Sequence, residues 1–241
     1  MTDLFFTRAF QNYEFDGAFR CIYQSYHKRG LTDHIGQEMR LTRYHLLPST
    51  CVFVARQGRQ VVGTLSMVED GPLGVPMRVV FGNYIDELAR SRCRVAEATC
   101  LAVRESPQPD LAIVHRLMGL VAQSARRRGI SHVIIAVHPR HAPFYSRWAG
   151  FSEFTPVVPY PTVNGKLAIA MQLDLVNLHV NFPDVHRRYF GYSFPDAALS
   201  PFPVEQGHLN RIRDYWRAIH EEPEDSVMSP RSMPVNRIAA A

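Results

Sequence analysis

Lysine is nearly absent from this chain. Of its 27 basic residues only Lys28 and Lys166 are not arginine. Cysteine is equally sparse: Cys21, Cys51, Cys93 and Cys100 show no CxxC and no Cys/His metal spacing. That excludes zinc knuckles and leaves reduced core thiols, with no metal expected. No continuous apolar run is long enough to cross a bilayer, so no integral membrane segment is expected. The opening MTDLFFTRAF lacks a basic stretch followed by an apolar one, so it does not read as a secretory leader. Together these absences predict a cytoplasmic protein. There is no P-loop, no nucleophile elbow and no internal repeat. Helix-turn-helix patterns and aromatic-interleaved basic repeats are missing too, so no nucleic-acid partner is expected.

What is present is a chain of 241 residues, 46% hydrophobic, with net charge +5 and pI near 9.2. The length suits one large domain, alone or with an appendage. The arginine excess suits phosphates or an acidic protein partner, or serves only solubility. Leu4 to Phe10 reads as a first strand. Asp16 is a candidate N-cap for a helix carrying Phe19, Ile22, Tyr23 and Tyr26 on one face and ending near Gly30. A second helix is predicted over Ile35 to His45, closed by Pro48. Thr50 to Arg56 and Gln60 to Glu69 form a hairpin around Gln57-Gly58-Arg59, one face towards the core. Gly63 marks a bulge or a close backbone approach. DGPLGVPM, Asp70 to Met77, is irregular: a pocket wall or a packed connector. A short helix spans Phe81 to Ser91 and a strand Arg94 to Val103. An amphipathic helix follows from Leu111 to Ala125, with Leu111, Val114, Leu117, Met118 and Val121 inward.

The organising stretch is SHVIIAVHPRHAPFYSRWAGF, Ser131 to Phe151. His132 to Val137 is an apolar, β-branched strand ended by Pro139. A helix begins at Ala142 and stops at Gly150. Phe154 to Val158 and Leu167 to Leu175 complete the sheet around an Asn164-Gly165 turn. The order of elements predicts an α/β fold, a mixed central sheet with helices on both faces. An irregular C-terminal extension follows. The expected division is a domain over 1–178, an extension packing on it over 179–220, with a terminal helix from His208, and a disordered tail over 221–241.

If the strands around Glu97 and Ile134 diverge, the gap admits a linear ligand bonding exposed backbone. Glu97 interrupts an apolar strand, and burying a carboxylate unpaired is costly. It either pairs with an arginine or works in a cavity. Tyr145 and His138 fall near the same point. Tyr145 fills the core or donates to a leaving group, and His138 is a backbone-bonded strand end or a catalyst. Cys100 has no neighbouring histidine in sequence to activate it. Arg126, Arg127 and Arg128 complement a helix C-terminus or form a docking patch for an acidic partner.

Five blocks, AFRCIYQSY at Ala18, MRLTRYHLLPSTCVFVA at Met39, VVGTLSMVEDGPLGVPM at Val61, AEATCLAV at Ala96 and HPRHAPFYSRWAGF at His138, stand in one order. In them the chain resembles GNAT-superfamily acyltransferases. More narrowly it is similar to the long-chain N-acyl amino acid synthases, relatives of the acyl-homoserine-lactone synthases. The resemblance implies a GNAT-like fold and transfer of a long-chain fatty acyl group from acyl carrier protein to the amine of an amino acid or other small acceptor. It implies no tightly bound cofactor: the donor is a 4′-phosphopantetheine thioester, alternatively acyl-CoA. By position, Glu97 becomes the general base and Tyr145 falls near the leaving sulfur, with His138 a further catalytic candidate beside the cleft. Arg20 and Tyr23 would hold the acceptor, and Met77, Leu101 and Val103 would contact substrate. Acetyl-CoA enzymes of this superfamily carry a glycine-rich pyrophosphate loop after the central strand. Here the segment is RESPQPDLA, without glycine and with two prolines. Arg104 and Arg126 to Arg128 are therefore expected to meet the carrier protein. The alternatives are an acetyl-CoA-dependent N-acetyltransferase and a catalytically silent acyl or pantetheine binder.

Overall fold

The computed structural model of the chain describes residues 3–32, 38–104, 111–199 and 204–220. An eight-stranded mixed sheet runs through it. Its strands are β1 (Leu4–Arg8), β2 (Cys51–Gln57), β3 (Gln60–Glu69), β4 (Val95–Val103), β5 (His132–Val137), β6 (Ser152–Glu153), β7 (Val158–Tyr160) and β8 (Lys166–Asp174). The spatial order is β1-β2-β3-β4-β5-β8-β6, with β7 also paired to β8. All pairings are antiparallel except β4 with β5.

Helix α1 (Asn12–Lys28) packs on one face of this sheet and α3 (Leu111–Arg127) on the other. Strand β2 shows the consequence. Val52 and Val54 join Phe15, Phe19 and Ile22 of α1, while Cys51, Phe53 and Ala55 join Leu117 and Val121 beneath α3. Successive side chains of a strand point to opposite faces, so both sets are buried. The hairpin thus has two covered faces where the sequence pattern suggested one. A third cluster gathers Met77, Phe81 and Ile85 of the segment entering α2 (Arg78–Arg90) against Val68, Ile134 and Ala168.

Helix α1 begins four residues before Asp16. Gln11 and Glu14 form a reciprocal capping box, which satisfies two orphan N–H groups and outcompetes Asp16. Asp16 instead pairs with Arg211 of α8 (Gln206–His220). Residues 35–37 of the second predicted helix lie outside the described residues. From Glu38 to Thr42 the chain has no regular structure, and one 3₁₀ turn follows at Arg43–Leu46. There Thr42 N–H donates to His45 Nδ1 at 2.9 Å, and His45 Nε2 lies 3.1 Å from Ser66 Oγ. The predicted strand over Phe154 to Val158 is split. Pro156 has no N–H for a ladder, so β6 ends before it and β7 starts after it. Thr155 Oγ1 bridges the gap by accepting from Ala170 N–H at 2.9 Å.

Beyond β8 the chain wraps the domain through α5 (Leu178–Asn181), α6 (Pro183–Phe190) and α7 (Asp196–Leu199). Helices this short are too brief to show a period. Gln123 of α3 ties them down, donating to the Tyr189 and Tyr192 carbonyls and accepting from Phe194 N–H. The 221–241 tail lies outside the described residues.

Gly63 is required by close approach. A Cβ there would meet Ile113 Cγ2 at 2.7 Å, beside a register shift between β2 and β3. Gly63→Ala is expected to cost about 1–3 kcal/mol by overpacking. In an Ile113→Ala background the same change should cost less. Denaturant titration of the four proteins of the cycle checks this, and equal costs in both backgrounds would locate the constraint elsewhere.

Candidate active site

Parallel pairing between β4 and β5 lasts three residue pairs, Val95 with His132, Ala96 with Val133 and Glu97 with Ile134. Beyond Glu97 the two strands separate. On its other edge β4 pairs Thr64 with Ala102 but Ser66 with Thr99, so β4 holds one extra residue. This bulge contains Cys100 in the left-handed region at φ 57°. A bulge bends its strand and sharpens its twist, here away from β5. Strand β5 continues against β8 alone through Val137. Between the diverging strands opens a cavity of about 1250 Å³.

Glu97 lies at the point of divergence, 2% exposed, on the cavity wall. Its Oε2 accepts the Met77 N–H at 2.7 Å. Burial pushes its pKa up to about 8, although the bonds from Met77 N–H and the Thr99 side chain work in the opposite direction. No arginine forms an ion pair with it among the described residues, so the pairing alternative raised by the sequence is not the one realised. Tyr145, on α4 (Ala142–Ala149), also lines the cavity. Its ring is set edge-on to Phe144 and Phe151, and burial pushes its hydroxyl up to about 12. Gly150 ends α4 at φ 77°, and Phe151 N–H returns to the Tyr145 carbonyl at 3.1 Å. His138 sits at the exposed end of β5 on the cavity rim, its Nδ1 accepting Arg140 N–H at 3.2 Å.

Leu101, Val103 and Arg104 line the same cavity. Met77 does not. Its side chain is fully buried in the α2 cluster, and only its backbone N–H reaches the site. Pro76 is the residue of that loop on the wall. Arg20 faces solvent and pairs with Glu38 at 3.7 Å, and Tyr23 stacks on His27, both off the cavity. Arg126, Arg127 and Arg128 are also away from it. Arg126 lies 4.8 Å from the Phe190 ring centroid, Arg127 pairs with Asp196, and Arg128 pairs with Glu69 while donating to Cys51 Sγ.

Sequence reasoning missed Tyr26, Arg40, Tyr160 and Trp216, which wall the cavity at one end. Tyr26 continues the apolar face of α1 and resembles core. The other three come from a connector, a short strand and the terminal helix, and no local spacing relates them. The remaining cations on the wall, Arg29, Arg43, Arg104, Arg140 and Lys166, are exposed. Along the far wall Leu111, Val114, Met118 and Phe144 are apolar. Such a site can take an extended apolar chain and an anionic or phosphate-bearing group, with one buried carboxylate between them. Among the described residues no group of histidine, cysteine or acidic side chains could hold a metal ion.

No curated protein sequence matches this chain. Among solved structures it is similar to FeeM, an N-acyl amino acid synthase from uncultured soil microbes. Identity there is 22%, coverage 76% of this chain and 97% of that one, and the TM-score 0.66. It is similar also to the acyl-homoserine-lactone synthase LasI at 16% identity, covering 80% and 96% with a TM-score of 0.56. An acyl-CoA N-acyltransferase from Pseudomonas aeruginosa aligns at 15% identity over 71% and 99%, TM-score 0.51. These likenesses establish the GNAT-like fold. The family model described as N-acyl amino acid synthase FeeM matches residues 17–174, more than half of the chain, and so the chain is an acyltransferase belonging to the FeeM family of N-acyl amino acid synthases.

Proposed function

We infer that this acyltransferase moves a long-chain fatty acyl group from the phosphopantetheine of acyl carrier protein to the amine of an amino acid. The observation that carries this reading is Glu97, buried without a cation at the divergence of β4 and β5 in a cavity of about 1250 Å³. That volume exceeds the roughly 300–1,000 Å³ of ordinary small-molecule sites and far exceeds what an acetyl group needs. The apolar wall from α3 and α4 suits the acyl chain. The separated backbone edges of β4 and β5 suit the amides of a pantetheine arm.

In the reaction the amine nitrogen attacks the thioester carbonyl carbon. A C–N bond forms and the carbonyl π pair moves to oxygen, where backbone N–H groups of the bulged β4 stabilise it. Glu97, as carboxylate, takes the amine proton directly or through water. Collapse of the intermediate breaks the C–S bond. A thiolate near the ordinary thiol range of about 8.5 then needs a proton, and a carboxyl group of pKa about 8 is well matched to supply it. Tyr145, held neutral by burial, donates a hydrogen bond to the departing sulfur without giving up its proton. His138, on the rim, completes the proposed set at the thioester end. Leu101 and Val103 contact the acyl and pantetheine chain.

A carrier-bound donor has one phosphate, which the exposed Arg104 and its neighbours at the mouth can meet. Residues 105–110, where acetyl-CoA enzymes place their pyrophosphate loop, lie outside the described residues. Their sequence has no glycine and two prolines, which suits a donor needing no backbone cradle. Arg126 to Arg128 are committed to intramolecular partners, so the cavity mouth is the proposed docking surface for the carrier. The direct test is mass spectrometry of lipid extracts from expressing cells, followed by kinetics with myristoyl carrier protein, myristoyl-CoA and acetyl-CoA. New N-acyl amino acids, and a preference for the carrier-bound chain, are expected. Faster turnover of acetyl-CoA would replace this reading with N-acetyl transfer.

Glu97→Gln is expected to lower kcat on the order of 10²–10⁴-fold. Wild-type activity should rise with pH through a midpoint near 8, where Glu97 loses its proton. That midpoint should vanish in the variant, and its persistence would move the base elsewhere.

The same group links pH to stability. Between about pH 4.5 and 8 the folded protein keeps the Glu97 proton and the unfolded chain has released it, so stability falls as pH rises across that window. Glu97→Gln removes this dependence. Its Tm relative to wild type should climb from pH 5 to 8 and level off above, in melts at each pH.

Tyr145→Phe removes the hydroxyl and keeps the ring contacts. A loss of kcat on the order of 10- to 100-fold with KM for the donor nearly unchanged is expected in steady-state kinetics. A loss confined to KM would make Tyr145 a binding residue only.

A further inference from the structure

Arg40 differs from the other cations on the cavity wall. Arg29, Arg43, Arg104, Arg140 and Lys166 are exposed, whereas Arg40 is half-buried with its Nε sealed from solvent and unpaired. Its guanidinium is fixed from three sides. The carbon centre lies 5.0 Å from the Tyr26 ring centroid. Nη1 donates to Thr32 Oγ1 and Nη2 to the Thr162 carbonyl, both at 3.2 Å. Each terminal nitrogen keeps a second N–H. Among the described residues no carboxylate lies within salt-bridge distance. Arg78, for comparison, has both Asp70 and Asp86.

The backbone that presents Arg40 is also held. Its N–H donates to the Phe19 carbonyl of α1 at 3.0 Å, and Tyr215 of α8 donates to the Met39 carbonyl at 3.2 Å. Helix α8 lies beyond the residues the family model matches, yet it sets this segment and contributes Trp216 to the cavity wall. Arg40 and Glu97 line the same cavity. Tyr26 and Cys100 each interact electrostatically with both Arg40 and Glu97.

A partly desolvated cation without a counter-ion is costly, and an anionic ligand relieves that cost. An anion held at Arg40 shares the cavity with the base, so a productive ligand carries its amine within reach of Glu97. An α-amino acid meets this requirement: its carboxylate is one carbon from its amine. A guanidinium with a second N–H on each terminal nitrogen can match a carboxylate in geometry as well as charge. We propose that Arg40 anchors the α-carboxylate of the acceptor, so that the enzyme selects amino acids over simple amines. This rests on the N-acyl transfer reading and replaces Arg20 as the acceptor's cationic partner.

The test uses the full chain with myristoyl carrier protein and myristoyl-CoA as donors. The twenty proteinogenic L-amino acids are screened as acceptors. The fastest is then compared with the amine that lacks its carboxyl group, in wild type, Arg40→Gln and Arg40→Lys. Wild type should prefer the amino acid. Arg40→Gln should raise KM for the amino acid on the order of 10- to 100-fold, with kcat within a few-fold, and leave KM for the amine unchanged. Arg40→Lys should recover part of the loss, as a point charge without the fork. Equal losses for both acceptors, or a wild type that prefers the amine, would overturn the assignment while leaving acyl transfer intact. A wild type that acylates no amine at all would overturn both. If Arg40→Gln does not fold, Arg40→Lys must still raise KM for the amino acid selectively, and a failure to do so overturns the assignment.

Discussion

Everything at this site depends on two parallel strands that stay together for three residue pairs and then part. Parallel pairing of β4 and β5 is the one break in an otherwise antiparallel sheet. The register slip at Cys100 on the other edge of β4 supplies the bend. A left-handed conformation at a non-glycine residue is uncommon, and it persists only where surrounding structure fixes it. Here α1 packs over it: Cys100 and Ala102 are buried with Phe15, Phe19 and Ile22. The wedge that admits the ligand is therefore held open by the packing of the first helix rather than by the strands themselves.

Glu97 takes its chemistry from the same place. A shift from 4.5 to about 8 corresponds to roughly 5 kcal/mol between its two protonation states. That is comparable with the whole stability of many domains, so at neutral pH the folded protein keeps Glu97 mostly protonated. The backbone N–H of Met77 and the Thr99 side chain limit the shift. The loop that brings the Met77 N–H is anchored by Val75 and Met77, both fully buried. Val75 and Met77 thus set the electrostatics of Glu97 without lining the cavity.

The sheet and the donor side were legible because they follow from local patterns. Strand β5, the break at Pro139 and the stop at Gly150 come from one contiguous stretch, and the carboxylate in β4 stands out against its apolar neighbours. Arg128 was not legible. Three arginines at a helix end read as a surface patch, but Glu69 and Cys51, distant in sequence, take the last of them into the protein. Asp16 failed as a cap for the opposite reason: a better local partner, Glu14, was available to Gln11. Arg40 was invisible because its significance lies in having no carboxylate within salt-bridge distance among the described residues, and such an environment is assembled from segments distant in sequence.

The cavity accordingly has two ends of different origin. One end is built from β4, α3, β5 and α4, between residues 95 and 149. Its other end is assembled from α1, the 38–42 connector, Tyr160 of β7 and Trp216 of α8. Replacing a residue in the first group disturbs the sheet that positions Glu97. Replacing one in the second alters a wall outside the β4–β5 pairing. On the proposed reading the acceptor meets this second group, so acceptor choice can change through α8 and the connector while the acyl-transfer chemistry stays fixed. Tyr215 links the two elements through the Met39 carbonyl, which makes the terminal helix part of this cavity wall even though it lies outside the matched family residues.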